Sequence, residues 1–120
     1  MLLDSNIVIY AFDPAHAKVA DFLRGKTVHV SALTKIEVMG FWRLTDHEYQ
    51  SFAAFFTELN VIGVSRDIVD EAIALRRKRS MGLADAIIAA TAIIHKLPLA
   101  THNTRDFSWI EGLDLIDPIQ

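Results

Sequence analysis

The chain predicts a three-layer α/β/α fold around a central, mostly parallel sheet of four to five short strands. Three observations lead there. Short strand-like runs alternate with helical ones along the sequence, the pattern of a parallel sheet covered by helices on its faces. At 120 residues and 52% hydrophobic content, the chain can bury one sizeable core and has the size of one domain. No repeat, linker or low-complexity segment divides it, so residues 1–120 read as a single domain.

The elements follow in order. Leu2-Leu3 opens a short strand, and Asp4-Ser5-Asn6 suits a turn and helix N-cap. Helical patterning covers roughly 5–12 and 15–24, and Thr27-Val28-His29-Val30 reads as a second strand. A helix over roughly 34–44 opens with Thr34-Lys35-Ile36-Glu37, which fits a capping box. Another covers roughly 46–58, and Asn60-Val61-Ile62-Gly63-Val64 is a weaker strand. The helix over roughly 66–79 ends in Arg76-Arg77-Lys78-Arg79, basic residues that suit a helix C-terminus. A last long helix over roughly 84–96 carries His95 at its end, just before the Leu97-Pro98 break. Pro98-Leu99-Ala100-Thr101 then reads as a strand, and Leu115-Ile116 as a weaker one.

Composition excludes several classes. A net charge of −3 argues against a generally basic, DNA-coating protein. Of the 15 acids, four are singled out below, and the other 11 face 12 Lys and Arg, leaving the rest of the surface near neutral. With no Cys there is no disulfide framework and no thiolate metal site, which suits a reducing cytoplasm. Asp4 interrupts the first apolar residues and no Lys or Arg precedes them, so no signal peptide is expected. The apolar stretch from Ala86 to Ile94 falls well short of the roughly 20 residues of a membrane span. A soluble, cytoplasmic protein is the expectation.

Four acids stand in distinctive settings. Asp4 ends the opening run Met1-Leu2-Leu3, and Glu37 lies in Ser31-Ala32-Leu33-Thr34-Lys35-Ile36-Glu37-Val38. Asp85 opens the apolar stretch Ala86-Ile87-Ile88-Ala89-Ala90, and Asp106 closes Thr101-His102-Asn103-Thr104-Arg105-Asp106-Phe107. Each has an ordinary reading: Asp4 as an N-cap, Glu37 as a capping-box partner, Asp85 as a cap at the positive helix end, Asp106 as a turn residue. Their combination suggests more. In open α/β sheets, sites form outside the carboxyl ends of the strands. Asp4 follows the first strand, Asn103 and Asp106 follow the one ending near Thr101, and Glu37 and Asp85 are expected in the first turns of their helices. Like charges cost roughly 4 kcal/mol per pair at about 4 Å and an effective dielectric near 20. Without a cation, some of these carboxyls should therefore have raised pKa values. A site built from them, lacking Cys and any HxxxH pair, would bind a hard cation through oxygen, Mg²⁺ or Mn²⁺ in its place.

The sequence also resembles a family. Asp-Ser-Asn after a first strand, Ser-x-x-Thr-x-x-Glu-Val, Leu-Ala-Asp-Ala-x-Ile-Ala-Ala-Thr-Ala and Thr-x-Asn-x-x-Asp-Phe, in that order, resemble the PIN-domain ribonucleases. Among them the chain is most similar to the VapC-type toxins of toxin–antitoxin pairs, from residue 1 to about residue 118. The resemblance implies a PIN-like fold and a metal-dependent endoribonuclease that hydrolyses RNA phosphodiester bonds. It implies direct metal contact by Asp4, Asp85 and Asp106, with Glu37 binding metal or orienting water. Ser5, Thr101 and Asn103 would support them. The cation would lower the pKa of a water for in-line attack on phosphorus, leaving 5′-phosphate and 3′-hydroxyl ends. A cognate antitoxin and a homodimer are implied too. His102 departs from the family, where Arg or another residue often precedes the Asn.

Other features favour less specific readings. The run Arg76 to Arg79 points around its whole helix, so a solvated helix end is the default, although one or two of its residues would be near enough to hold a phosphate. Phe41, Trp42, Tyr49, Phe52, Phe55 and Phe56 crowd two adjacent helical segments, and core packing is the ordinary explanation. An exposed share of them would form a groove for a partner such as an antitoxin helix. Two rival functions remain at this stage. A magnesium-binding receiver domain would want an acidic pair after the first strand and a Lys after the last, and the chain has neither. A PIN-like fold that only binds nucleic acid or a partner would have lost site acids, and all four are present.

Overall fold

The computed structural model describes residues 1–119. All five expected strands form: β1 (Leu2–Leu3), β2 (His29–Ser31), β3 (Asn60–Ile62), β4 (Leu99–Ala100) and β5 (Leu115–Ile116). They make one sheet in the order β3-β2-β1-β4-β5, and every pairing is parallel. Central β1 shows why so short a strand suffices. Leu2 pairs with His29 on one side and Leu99 on the other, and Leu3 pairs with Ala100. Successive side chains of a strand point to opposite faces. Both leucines are fully buried, each in a different core cluster, as expected of a strand covered on both faces.

The helices supply those covers. On Leu3's face lie α1 (Ser5–Tyr10), α2 (Ala17–Leu23), α3 (Ala32–Met39) and α4 (Asp46–Thr57), contributing Ile7, Val8, Val19, Val38, Phe52 and Phe56 to the core. On Leu2's face lie α5 (Arg66–Lys78), α6 (Leu83–His95) and α7 (Thr104–Phe107). Ile68, Ala72 and Leu75 form the buried stripe of α5, while α6 buries Ala86, Ile88, Ala89, Ala90 and Ala92. A 3-10 turn at Pro14–His16 leads into α2. No helix among the described residues is long and apolar enough to cross a membrane.

One element differs from expectation in a way that matters. Helix α3 starts early and stops early. Ser31, the last residue of β2, is its N-cap and accepts from the Leu33 N–H at 3.1 Å. The capping box expected at Thr34 and Glu37 is therefore absent, and Glu37 sits in the second turn, free of capping duty. The capping box forms instead on α4, between Thr45 and Glu48. At the other end, a Cβ on Gly40 would lie 2.6 Å from the Ile36 carbonyl oxygen, so only glycine fits that close turn. Phe41 and Trp42 consequently leave the helix and stand exposed, as does Tyr49, whereas Phe52 and Phe56 are buried. The aromatic cluster is divided between core and surface.

The chain winds from β1 outward to β2 and β3, then returns to place β4 on the other side of β1. The order of strands thus reverses between β1 and β4. That reversal opens a crevice at the carboxyl ends of the strands, where α/β proteins bind ligands.

Candidate active site

Asp4 emerges at that crevice. It caps α1, accepting from the Ser5 N–H at 2.8 Å through Oδ1, while Oδ2 accepts from the Thr101 hydroxyl at 2.8 Å. Thr101 follows β4 directly and is fully buried, so this bond ties the two sides of the strand reversal together. Burial raises the pKa of Asp4; the Thr101 and Ser5 hydrogen bonds oppose the rise, and the charges of Glu37 and Asp106 add to it. The capping reading is correct for this residue, and the cap leaves its carboxylate at the crevice, facing the Thr101 hydroxyl.

Glu37 is reached through Ser5. The Ser5 hydroxyl donates to Glu37 Oε1 at 2.7 Å, and it has only one proton to give. Thr34, 3.1 Å away, must therefore be the donor to Ser5 Oγ. Thr34 and Glu37 lie one turn apart on the same face of α3, as the spacing of three residues dictates. Thr34 is fully buried, and its sequence marked it as a helix cap and not as a support for the acids. The signal was present in that spacing, but the capping pattern explained it equally well.

Asp85 lies in the first turn of α6, where the helix dipole favours a carboxylate. Its pKa is raised nonetheless, first by burial and then by the charges of Asp4, Asp106 and Glu37. Asp106, on α7, accepts from the Asn103 side-chain amide. The Asn103 backbone N–H in turn donates to the Thr101 hydroxyl oxygen at 3.0 Å. Four segments that are distant in sequence thus bring four carboxylates within electrostatic reach of one another. Asp4 is buried, Asp85 half-buried, and Glu37 and Asp106 are open to solvent. His95 ends α6 as expected, and His102 is held by Asp117 at 3.1 Å.

The donor set is all oxygen, suited to a hard cation. Among the described residues, no three acidic or histidine side chains are gathered into a ready-made cage. Magnesium fits such a spread, because it keeps several waters and binds through one or two carboxylates. Asp4, Glu37, Asp85 and Asp106 would hold it, some through water.

Thr101 offers a clean test of how this frame is held. Thr101→Val keeps the shape but removes the donor to Asp4 and the acceptor for Asn103. The expected cost is about 1–3 kcal/mol by urea denaturation, with Thr101→Ser close to the parent. Equal stability of the valine variant would show that the hydroxyl does not fasten the crevice.

Comparison with protein-family models matches the PIN domain over residues 1–113. No curated protein matches the chain in sequence. Among solved structures, the chain is similar to a toxin–antitoxin complex from Klebsiella pneumoniae. The identity is 34% and the TM-score 0.84, over 98% of this chain and 96% of that one. It is similar to VapBC2 from Rickettsia felis, bound to a DNA fragment from their promoter, at 24% identity and TM-score 0.80, over 96% of each chain. VapBC-1 from nontypeable Haemophilus influenzae gives 24% identity and TM-score 0.80, over 99% of this chain and 98% of that one. The last two attest to the fold alone. With the matched region running through all four acidic positions, from Asp4 to Asp106, the chain belongs to the PIN domain family.

Proposed function

We propose that the protein is a metal-dependent endoribonuclease, the toxin of a type II toxin–antitoxin pair of the VapC kind, acting in the cytoplasm. The observation that carries this reading is the convergence of Asp4, Glu37, Asp85 and Asp106 at the strand reversal, two of them with raised pKa values. Such a cluster is costly to the fold unless a cation relieves it. A bound Mg²⁺ or Mn²⁺ would supply a water of lowered pKa and neutralise charge on the phosphate. The chain's own residues do the rest. Thr101 and the Ser5 N–H fix the rotamer of Asp4, and Asn103 fixes that of Asp106. Ser5, itself held by Thr34, fixes the carboxylate of Glu37. Held in this way, the acids need no rearrangement when substrate arrives.

The partners follow from the same reading. A concavity of about 480 Å³ lined by Ile9, Phe12, Pro14 and Phe52, among others, lies between α1 and α4. Ile9 and Phe12 are 46% and 42% exposed there, an apolar seat of the kind an antitoxin helix would cover. A basic antitoxin side chain reaching the carboxylates would block the site, and the toxin would act as a homodimer.

The test uses antitoxin-free protein and structured RNAs, with Mg²⁺ or Mn²⁺ and with EDTA. Cuts bearing 5′-phosphate ends, present with metal and absent with EDTA, are expected. Metal-independent cuts would remove the metal from the reading. RNA binding without cleavage in either metal would favour a PIN fold that only binds.

A further inference from the structure

The four acids raise a difficulty for any polyanionic substrate. A phosphodiester strand must approach a carboxylate cluster on a chain whose net charge is −3, and something local must attract it. The structure holds two guanidinium groups in the right place. A hollow of about 270 Å³ is lined by Asp85 and Asp106 together with Arg79, Arg105, Met81 and Trp109. It is roomy enough for a phosphodiester unit and opens directly beside two of the site acids.

Neither arginine is already satisfied by a carboxylate. Among the described residues, neither Arg79 nor Arg105 forms an ion pair, although both line a wall shared with Asp85 and Asp106. Both are exposed, so their positions are not set by burial. Arg79 lies over the Trp109 ring, 5.5 Å from its centroid. Trp109 is itself tethered, its indole N–H donating to the Asp106 backbone carbonyl at 3.0 Å. The ring that carries Arg79 is therefore fastened to the backbone of a site acid.

The basic run at the end of α5 is sorted by the same geometry. Arg76 donates through Nε to the Met81 carbonyl at 3.3 Å and holds the turn between α5 and α6. Arg79 alone of the four lines the hollow beside Asp85 and Asp106. Arg105 lines this hollow and also a larger one, about 580 Å³, with Asn6, Tyr10, His102 and Asn103. It thus stands on the ridge between two hollows that flank Asp106.

We propose that Arg79 and Arg105, with Trp109 holding Arg79 in place, form a subsite for a phosphate next to the scissile one of a single-stranded RNA. The proposal rests on the nuclease reading above and adds a substrate-binding role to residues outside the acidic cluster. Guanidinium is the group for this task, since its fork of donors matches phosphate oxygens. With Arg105 between the hollows, the strand crosses Asp106 from one to the other.

The test separates this subsite from the nuclease reading. Binding of a fluorescent single-stranded RNA oligonucleotide is measured by anisotropy over a range of salt. It is done in an Asp85→Asn background, where cleavage is suppressed. Cleavage kinetics are measured with Asp85 intact. Arg79→Ala and Arg105→Ala are each expected to weaken binding about tenfold and to reduce the salt slope by about 0.7, the value for one phosphate contact on a single strand. KM should rise more than kcat falls, and Arg79→Lys should keep the slope. Both side chains are exposed, and unchanged melting curves will show that the variants fold. Parental affinity and salt slope in both alanine variants, with cleavage intact, would overturn the subsite and leave the nuclease reading standing. A parent that neither binds nor cuts any RNA would overturn both.

Discussion

Asp85→Asn is expected to lower RNA cleavage by at least about a hundredfold and to raise the melting temperature of the metal-free protein. The first effect follows from removing a carboxylate that would hold the cation, since even partners one step further out matter ten- to about a hundredfold. The second follows from the electrostatics. Asp85 has a pKa raised first by burial and then by Asp4, Asp106 and Glu37, so its charged form is disfavoured in the fold. Between its ordinary value and the raised one, the folded protein holds a proton that the unfolded chain has released. Stability therefore falls as pH rises through that window, and the loss is complete once the pH stands above the raised value. Asp4 acts with the same sign.

Asparagine removes the contribution of Asp85. Its half-exposed position limits the gain, so a rise of about 2 °C in EDTA is expected, with a flatter fall in stability as pH increases. Added Mg²⁺ should raise the melting temperature of the parent by mass action and that of the variant by less. The ordinary reading predicts the reverse sign. If Asp85 serves only as a first-turn acid on α6, its loss should lower stability by about 0.3–1 kcal/mol. Differential scanning calorimetry with and without EDTA decides between the two.

How much of this could be read beforehand depends on which residues are asked. The sheet and the two helical layers were legible because α5 and α6 carry long apolar patterns, and because Leu2-Leu3 and Leu99-Ala100 are apolar runs bounded by turn residues. Asp4 and Asp106 were legible as followers of strands, and the structure brings both to the crevice. Glu37 was misread locally. Ser31 and Thr34 are both good N-caps, three residues apart, and Glu37 completes a capping pattern only with the second. The choice was made by tertiary structure: Ser31 ends β2, and the Thr34 hydroxyl is buried against Ser5. Arg105 was beyond the sequence, and so was the choice of Arg79 from a run already read as able to hold a phosphate, for another reason. Exposed arginines obey no periodicity, and only the packing of α5 against the turn into α6 selects Arg79 from four adjacent basic residues.

Phe107→Ala should be the most damaging single change away from the acids, costing about 3–5 kcal/mol. Phe107 is fully buried in the cluster formed with Leu2, Leu99 and the inner faces of α5 and α6. That loss is large against a total stability of about 5–15 kcal/mol for a domain of this kind. Its consequence for the site is more specific than unfolding. Helix α7 has four residues, Thr104 to Phe107, far too few to persist without tertiary support. Asp106 immediately precedes Phe107, so the side chain that fills the core also aims the carboxylate. Urea denaturation should show the stability loss, and hydrogen exchange should show α7 losing protection before α5 and α6 do. Cleavage per folded molecule should fall as well, beyond what the unfolded fraction explains, whereas Phe107→Leu should keep most of both. Normal cleavage per folded molecule in the alanine variant would assign the aiming of Asp106 elsewhere. The Asn103 amide and the Trp109 indole, both bonded to Asp106, would then be sufficient to hold it.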